Sequence, residues 1–263
     1  MIFKPKQHLI SKISDKSIMQ KKYHFILILF SVFSLTNIQL YSQTNTDSID
    51  FFLNSIYKIY GPNDNLISGY PYILPDKRVQ GHPYLINNEW FNFSIYINNK
   101  SFHNQKAKYN IRKDALILKA RIGQKGENLI QLNKHLVDSF KINRRLFVNS
   151  SYYPLDKNEV SFYEQIFVSI DIAFIRKFNK NFSEPQNSIH SYGHYSNTEE
   201  TRYIITDNKI EKVNSRYAFI RFFPKEKRKH IRSFLKKNNI DYNTANLFQL
   251  IKLSNYSFNK QDL

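Results

Sequence analysis

The apolar residues Ile49, Phe52, Leu53, Ile56, Tyr57 and Tyr60 follow one another at intervals of three and four. That spacing predicts one face of a helix over residues 48–60, capped by Asp47 or Ser48 and stopped by Gly61-Pro62. A Pro-rich connector follows through Gly69-Tyr70-Pro71 and Gly81-His82-Pro83-Tyr84. From Trp90 the period shortens to two. Phe91, Phe93, Ile95 and Ile97 alternate with polar residues or tyrosine, Asn98-Asn99 supplies turn chemistry, and residues 101–111 are extended again, which predicts a hairpin. Arg112-Lys113-Asp114 turns the chain into 115–122, where Leu116 and Leu118 alternate, and 123–128 turns it into 129–132. A short helical turn is expected over 134–138, then a hairpin of 140–142 with 146–148 across Asn143-Arg144-Arg145.

Beyond the loop around Pro154, the aromatic runs 160–168 and 170–182 read as long central strands of an antiparallel sheet. Phe174, Arg176, Phe178 and Lys180 alternate against Ile175 and Lys177, so the second run is expected to face solvent over part of its length. Residues 183–200 are polar, carry Pro185 and Gly193, and read as a loop, after which 202–206 and 210–213 form a last hairpin across Asp207-Asn208-Lys209. Pro224 fits the first position of a helix whose apolar face is Ile231, Phe234 and Leu235, and Asn243 fits the cap of a second helix carrying Leu247, Phe248, Leu250, Ile251 and Leu253. The fold class expected is α+β: an antiparallel multi-stranded sheet, meander or half-barrel-like, with an N-terminal helix and two C-terminal helices.

A different pattern opens the chain. Lys21-Lys22 stands before the apolar run 25–35, which gives way to Thr36-Asn37 and the small residue Ser42, the layout of a secretory signal peptide. Residues 1–42 are therefore expected to be leader and signal peptide, with Met19 as the working start, leaving 43–263 as one mature domain. Its parts are a helix and connector (43–90), a sheet (91–214) and a helical end (215–263). The alternative is a retained anchor over 25–40, although Asn37 and Gln39 interrupt it and spans need about 18–20 apolar residues. After cleavage no membrane span is expected.

Charge sharpens this picture. The chain carries +18, and since residues 1–42 hold six lysines and one aspartate, +13 belongs to the rest. Such a surface attracts anionic lipid, acidic glycan or nucleic acid, or is simply solvated. Specific nucleic-acid recognition is not expected without a reading module. The sequence has no cysteine, which excludes disulfides, thiol catalysis and Cys-ligated zinc. About 220 residues can bury a core without such staples.

Gly-x-Ser-x-Gly, Walker, Gly-x-Gly-x-x-Gly and His-Glu-x-x-His motifs are absent, so no cofactor is expected. His190 and His194 near Glu199 and Glu200 are weak metal candidates, because Gly193 opposes the helix that would align two imidazoles. The basic residues Lys225, Lys227, Arg228, Lys229, Arg232, Lys236 and Lys237 surround the apolar stripe of the first C-terminal helix and mark the best-localised charged surface. Aromatics between Phe162 and Phe182 are core or line a lipid or glycan pocket.

Leu66-Ile67-Ser68-Gly69-Tyr70, Gly81-His82-Pro83-Tyr84, Lys108-Tyr109-Asn110 and Phe162-Tyr163-Glu164 together resemble a family of exported proteins from Bacteroidetes-type bacteria. The resemblance implies one antiparallel sheet with carboxy-terminal helices and carries no activity with it. Its motifs make His82, Tyr84, Tyr109 and Glu164 the first candidate pocket. The function expected is a non-enzymatic binding or structural protein with a basic surface, periplasmic or envelope-associated rather than released, whose partner is an envelope protein, anionic lipid or glycan. The alternative is an exported hydrolase acting on an anionic glycan or lipid.

Overall fold

The computed structural model describes residues 66–121, 126–154, 159–185, 191–207 and 209–258, all within the unit Asp50–Leu263. The helix expected over 48–60, the export segment and His190 lie outside the described residues. Among the described residues, no helix is long and apolar enough to cross a membrane.

The sheet is α+β in the expected sense, antiparallel and unclosed, with eleven strands among the described residues. They are β1 (Gly69–Pro71), β2 (Phe91–Ile97), β3 (Lys100–Asn110), β4 (Ala115–Arg121), β5 (Glu127–Leu132), β6 (Val137–Ile142), β7 (Arg145–Asn149), β8 (Phe162–Val168), β9 (Ile172–Asn179), β12 (Glu199–Thr206) and β13 (Lys209–Lys212). Between β9 and β12, β10 (Phe182–Ser183) and β11 (His194–Tyr195) form a separate two-stranded ribbon. The order across the sheet is β1-β5-β4-β3-β2-β6-β7-β8-β9-β12-β13.

Turn chemistry sets these hairpins. Asn98 and Asn99 both have left-handed backbone (φ 48° and 62°), the conformation that matches a two-residue turn to strand twist. Asn104 (φ 54°) sits where two residues of β3 oppose one of β2 between the pairs Phe93–Gln105 and Ile95–Phe102, a bulge that bends the sheet. The bend becomes a curl. Four strand spacings separate β3 from β8, about 19 Å in a flat sheet. Yet the rings of Tyr109 on β3 and Phe162 on β8 lie 6.1 Å apart, and both Asp114 carboxylate oxygens, at the β3–β4 turn, accept from the Phe162 N–H at 3.3 Å.

The curl encloses one core, with Phe93, Ile95, Phe140, Phe147 and Phe162 buried around Tyr109. A second core forms where β8, β9 and β12 meet three helices: α1 (Arg216–Phe222), α2 (Lys225–Lys237) and α3 (Leu247–Phe258). Phe174 and Ile204 pack there against Phe219, Ile231, Leu235, Leu250 and Leu253.

Several expectations are corrected. Residues 134–136 form a turn and Val137 already begins β6, so no helical turn extends to Asp138. The run 170–182 is broken at Lys180-Asn181, and its partly solvated face is in fact buried, with Arg176 5% and Lys180 8% exposed. The loop 183–200 contains β11 and the start of β12. Among the described residues the helical end has three helices: α1, capped by Ser215 Oγ accepting from the Ala218 N–H, was not anticipated. Asn243 does not cap α3. It accepts from the Arg216 N–H at the start of α1, while Asn246 and Gln249 cap α3 reciprocally, each side chain accepting the other's backbone N–H at 3.0 Å.

Candidate functional site

Three groups of residues carry chemistry, and the first gathers the motif candidates. The loop at Gly81 (φ 78°) lies against β3, where Leu85 donates to the Tyr109 carbonyl and Ile111 to the Pro83 carbonyl, both at 3.0 Å. His82 stacks on Tyr84 at 6.0 Å, its Nδ1 accepts from the Tyr84 N–H at 3.2 Å, and its carbonyl accepts from Lys180 Nζ at 2.9 Å. Burial, then the charges of Lys180 and Lys108, hold the imidazole below its ordinary pKa. Tyr84 is pushed up, by burial first and then by Tyr72, whose hydroxyl is 3.4 Å from its own. Lys108 lies between the rings of Tyr84 and Trp90, 4.6 Å from each centroid, and donates to Asn88 O and Oδ1.

Tyr109 donates to Asp114 Oδ1 at 2.6 Å, and burial, then that carboxylate's charge, drives its phenol well above its ordinary value. Tyr84 and Tyr109 border a void of about 10 Å³, room for one water at most. Glu164 does not join them. Of the four motif candidates, the structure therefore gathers His82, Tyr84 and Tyr109 along β3 and places Glu164 in a second group.

That group is a row of ion pairs across four strands, with Glu164, Arg176 and Arg202 buried and Arg145 and Glu200 partly so. Arg145 on β7 donates to both Glu164 oxygens at 2.7 and 3.0 Å, and Arg176 on β9 donates to Glu164 Oε2 at 2.6 Å and to Glu200 Oε2 at 2.8 Å. Arg202 on β12 closes the row on Glu200 Oε1 and on the Tyr242 carbonyl. The row sits where the two cores meet, because one strand face reads Phe162, Glu164, Ile166 on β8 and Phe178, Arg176, Phe174 on β9. With Glu164 fully buried and each carboxylate held by two guanidinium groups, the row is an architectural seam.

The third group is a groove between α1 and α2. Arg228, Arg232 and Lys236 recur every fourth residue and so share one helical face, while Ile231 and Leu235 turn inward. Across from them α1 presents Arg216, Tyr217, Ile220 and Arg221. One recess of about 360 Å³ is lined by Arg216, Arg221, Arg228 and Arg232 with Tyr217 and Ile220. A neighbouring recess of about 690 Å³ shares Arg216 and Arg232 and adds Ser233, Leu235, Lys236, Asn239, Ile240 and Asp241. Arg228 is held rigidly, donating to the Phe223 carbonyl at 2.7 Å and the Arg221 carbonyl at 2.8 Å, so its charge complements the α1 C-terminus. Among the described residues, no carboxylate pairs with Arg216, Arg221 or Arg232.

Of the basic residues expected to mark a surface, Arg228, Arg232 and Lys236 line the groove, whereas Lys225, Lys229 and Lys237 are exposed beyond its lining and Lys227 is half-buried. Arg216, Tyr217 and Arg221 were missed with the helix that carries them. His194 lies in β11 opposite Ser183, and among the described residues no three His, Asp or Glu side chains are placed to hold a metal ion. Phe162, Phe174 and Phe178 are core residues. Comparison of the chain with protein-family models, with curated proteins and with solved structures finds no match in any of the three.

Proposed function

We propose that this protein is a non-enzymatic binding protein of the bacterial cell envelope that holds an anionic envelope component in the groove between α1 and α2. The carrying observation is that four arginines from two helices line one recess with no carboxylate in its wall. Guanidinium forks match phosphate or carboxylate bidentately and shed water more readily than ammonium groups, so an arginine recess selects anions where scattered lysines only attract them. A hydrolase needs paired carboxylates or a His–carboxylate pair at hydrogen-bond distance. Here Glu164 and Glu200 are each committed to two arginines, and His82 Nδ1 accepts from the Tyr84 N–H, which favours binding over hydrolysis. The envelope location rests on the leader pattern and on the resemblance to exported bacterial proteins.

Calorimetric titration of the full chain with inorganic phosphate, at low and at moderate salt, tests the reading. Replacing Arg216 and Arg232 together with glutamine is expected to weaken binding at least about tenfold, equivalent to about 1.4 kcal/mol. Lys229→Gln with Lys237→Gln removes as much charge from outside the groove and is expected to change affinity less than about twofold at moderate salt. Equal losses in the two variants would mean diffuse attraction and would overturn the groove as the binding site.

A further inference from the structure

We infer that the ligand of this groove is a phosphorylated sugar, its phosphate in the four-arginine recess and its hydroxyl-bearing ring in the neighbouring one. The inference rests on the anion-binding reading above and adds to it the chemistry of the second recess. Both spaces are basic, but only the larger has a carboxylate in its wall. The smaller is lined by four arginines, whereas the larger sets Asp241, Ser233 and Asn239 beside Arg216, Arg232 and Lys236. A second anionic group would pair with the cations but face the Asp241 carboxylate, and an apolar group would leave Asp241, Ser233 and Asn239 unmatched. Neutral hydroxyls satisfy all three, because each can donate to a carboxylate or amide oxygen and accept from an amide N–H or a serine hydroxyl.

Asp241 is also held in place for this role. Its Oδ1 accepts from the Asn243 N–H at 3.0 Å and its Oδ2 from Thr244 Oγ1 at 3.2 Å, which fixes the carboxylate and leaves each oxygen a further lone pair for a ligand hydroxyl. Leu235 and Ile240, buried in the second core, form the apolar floor of the same recess. Arg216 and Arg232 line both recesses, so they stand where phosphate joins ring.

Phosphorylated sugar reaches an envelope protein either as a soluble molecule or as a lipid headgroup, and paired probes separate the two. Calorimetry compares glucose 1-phosphate with inorganic phosphate, and vesicle co-sedimentation compares phosphatidylinositol with phosphatidic acid. A preference of about tenfold for the sugar-bearing member of either pair is expected, and the pair that shows it identifies the source. Asp241→Ala and Asn239→Gly are both expected to reduce that preference at least threefold, roughly 0.7 kcal/mol, while leaving inorganic phosphate within about twofold. Asn239→Gly suits the left-handed backbone there (φ 50°), so it tests the side chain without straining the fold. Equal affinity within both pairs, or a preference that survives both variants, overturns the sugar assignment while phosphate binding leaves the anion reading standing. Failure to bind phosphate in any form overturns both.

Discussion

Glu164 shows how much one side chain can decide. It is fully buried on β8 and accepts three charge-assisted hydrogen bonds, two from Arg145 and one from Arg176. Removing one partner of a buried pair is worse than removing the pair, because the remaining charge stays desolvated. Glu164→Gln is therefore expected to cost about 3–5 kcal/mol in chemical denaturation, although its shape is almost unchanged. Glu164→Leu combined with Arg176→Met is expected to cost less than the single glutamine change, because most of the uncompensated charge goes with it. A double variant less stable than Glu164→Gln would mean that the ion row itself, and not the penalty of breaking it, stabilises the seam.

Among the strands, β1 tests how locally the sheet is built. An alanine Cβ at Gly69 would lie 2.2 Å from the Gln131 carbonyl oxygen and 2.9 Å from its carbon, both backbone atoms that cannot move without giving up the β1–β5 pairing. Gly69→Ala is thus expected to release β1 from β5, speeding exchange of the Asn133 N–H, which donates to Ser68 O, at least about tenfold. Because β1 is a three-residue edge, the thermal midpoint should shift by no more than about 4 °C. Exchange unchanged at Asn133 would show that the edge tolerates the methyl. Elements with clear periodicity or turn chemistry were legible in the sequence: β2, the Asn98-Asn99 turn and the β12–β13 hairpin lie where alternation and turn residues put them. What sequence could not supply was the third dimension. Arg176 and Lys180 are charged and look solvated until the fold places partners around them, and α1, with the sequence RYAFIRF, lacks a helical period and owes its form to Ser215 and to packing on Phe174 and Tyr242. The groove was half legible for the same reason. The stripe of Arg228, Arg232 and Lys236 can be read from its spacing, but Arg216 and Arg221 join it only once α1 exists.

High pH sets charge and burial against each other across the fold. At neutral pH the chain repels itself with +18, and deprotonating lysines near pH 10.4 should relieve that repulsion. Buried tyrosines act oppositely. Burial pushes Tyr109, Tyr84 and Tyr242 above their ordinary value, and Tyr163 up to about 12. A raised folded-state pKa means that the native phenol keeps a proton which the unfolded chain gives up at about pH 10. The stabilisation is complete below about pH 10 and is lost as pH climbs through the folded values. Repulsion among exposed lysines is screened beyond about 8 Å at physiological salt, whereas Tyr84, Tyr109 and Tyr242 are buried away from the solvent that would screen them. The tyrosines should therefore win, and stability is expected to fall from about pH 10 upward, with tyrosinate absorbance rising in step with loss of circular dichroism. Smooth titration near pH 10 with the fold intact would refute this. Tyr109 makes the link specific: once ionised, its oxygen would face the Asp114 carboxylate it now donates to at 2.6 Å, and Asp114 is the group that ties β3 to the Phe162 N–H on β8. Tyr109→Phe should consequently be less stable at neutral pH by about 1 kcal/mol for the lost hydrogen bond, yet lose less stability between pH 10 and 12, because the curl no longer contains a phenol whose ionisation opens it.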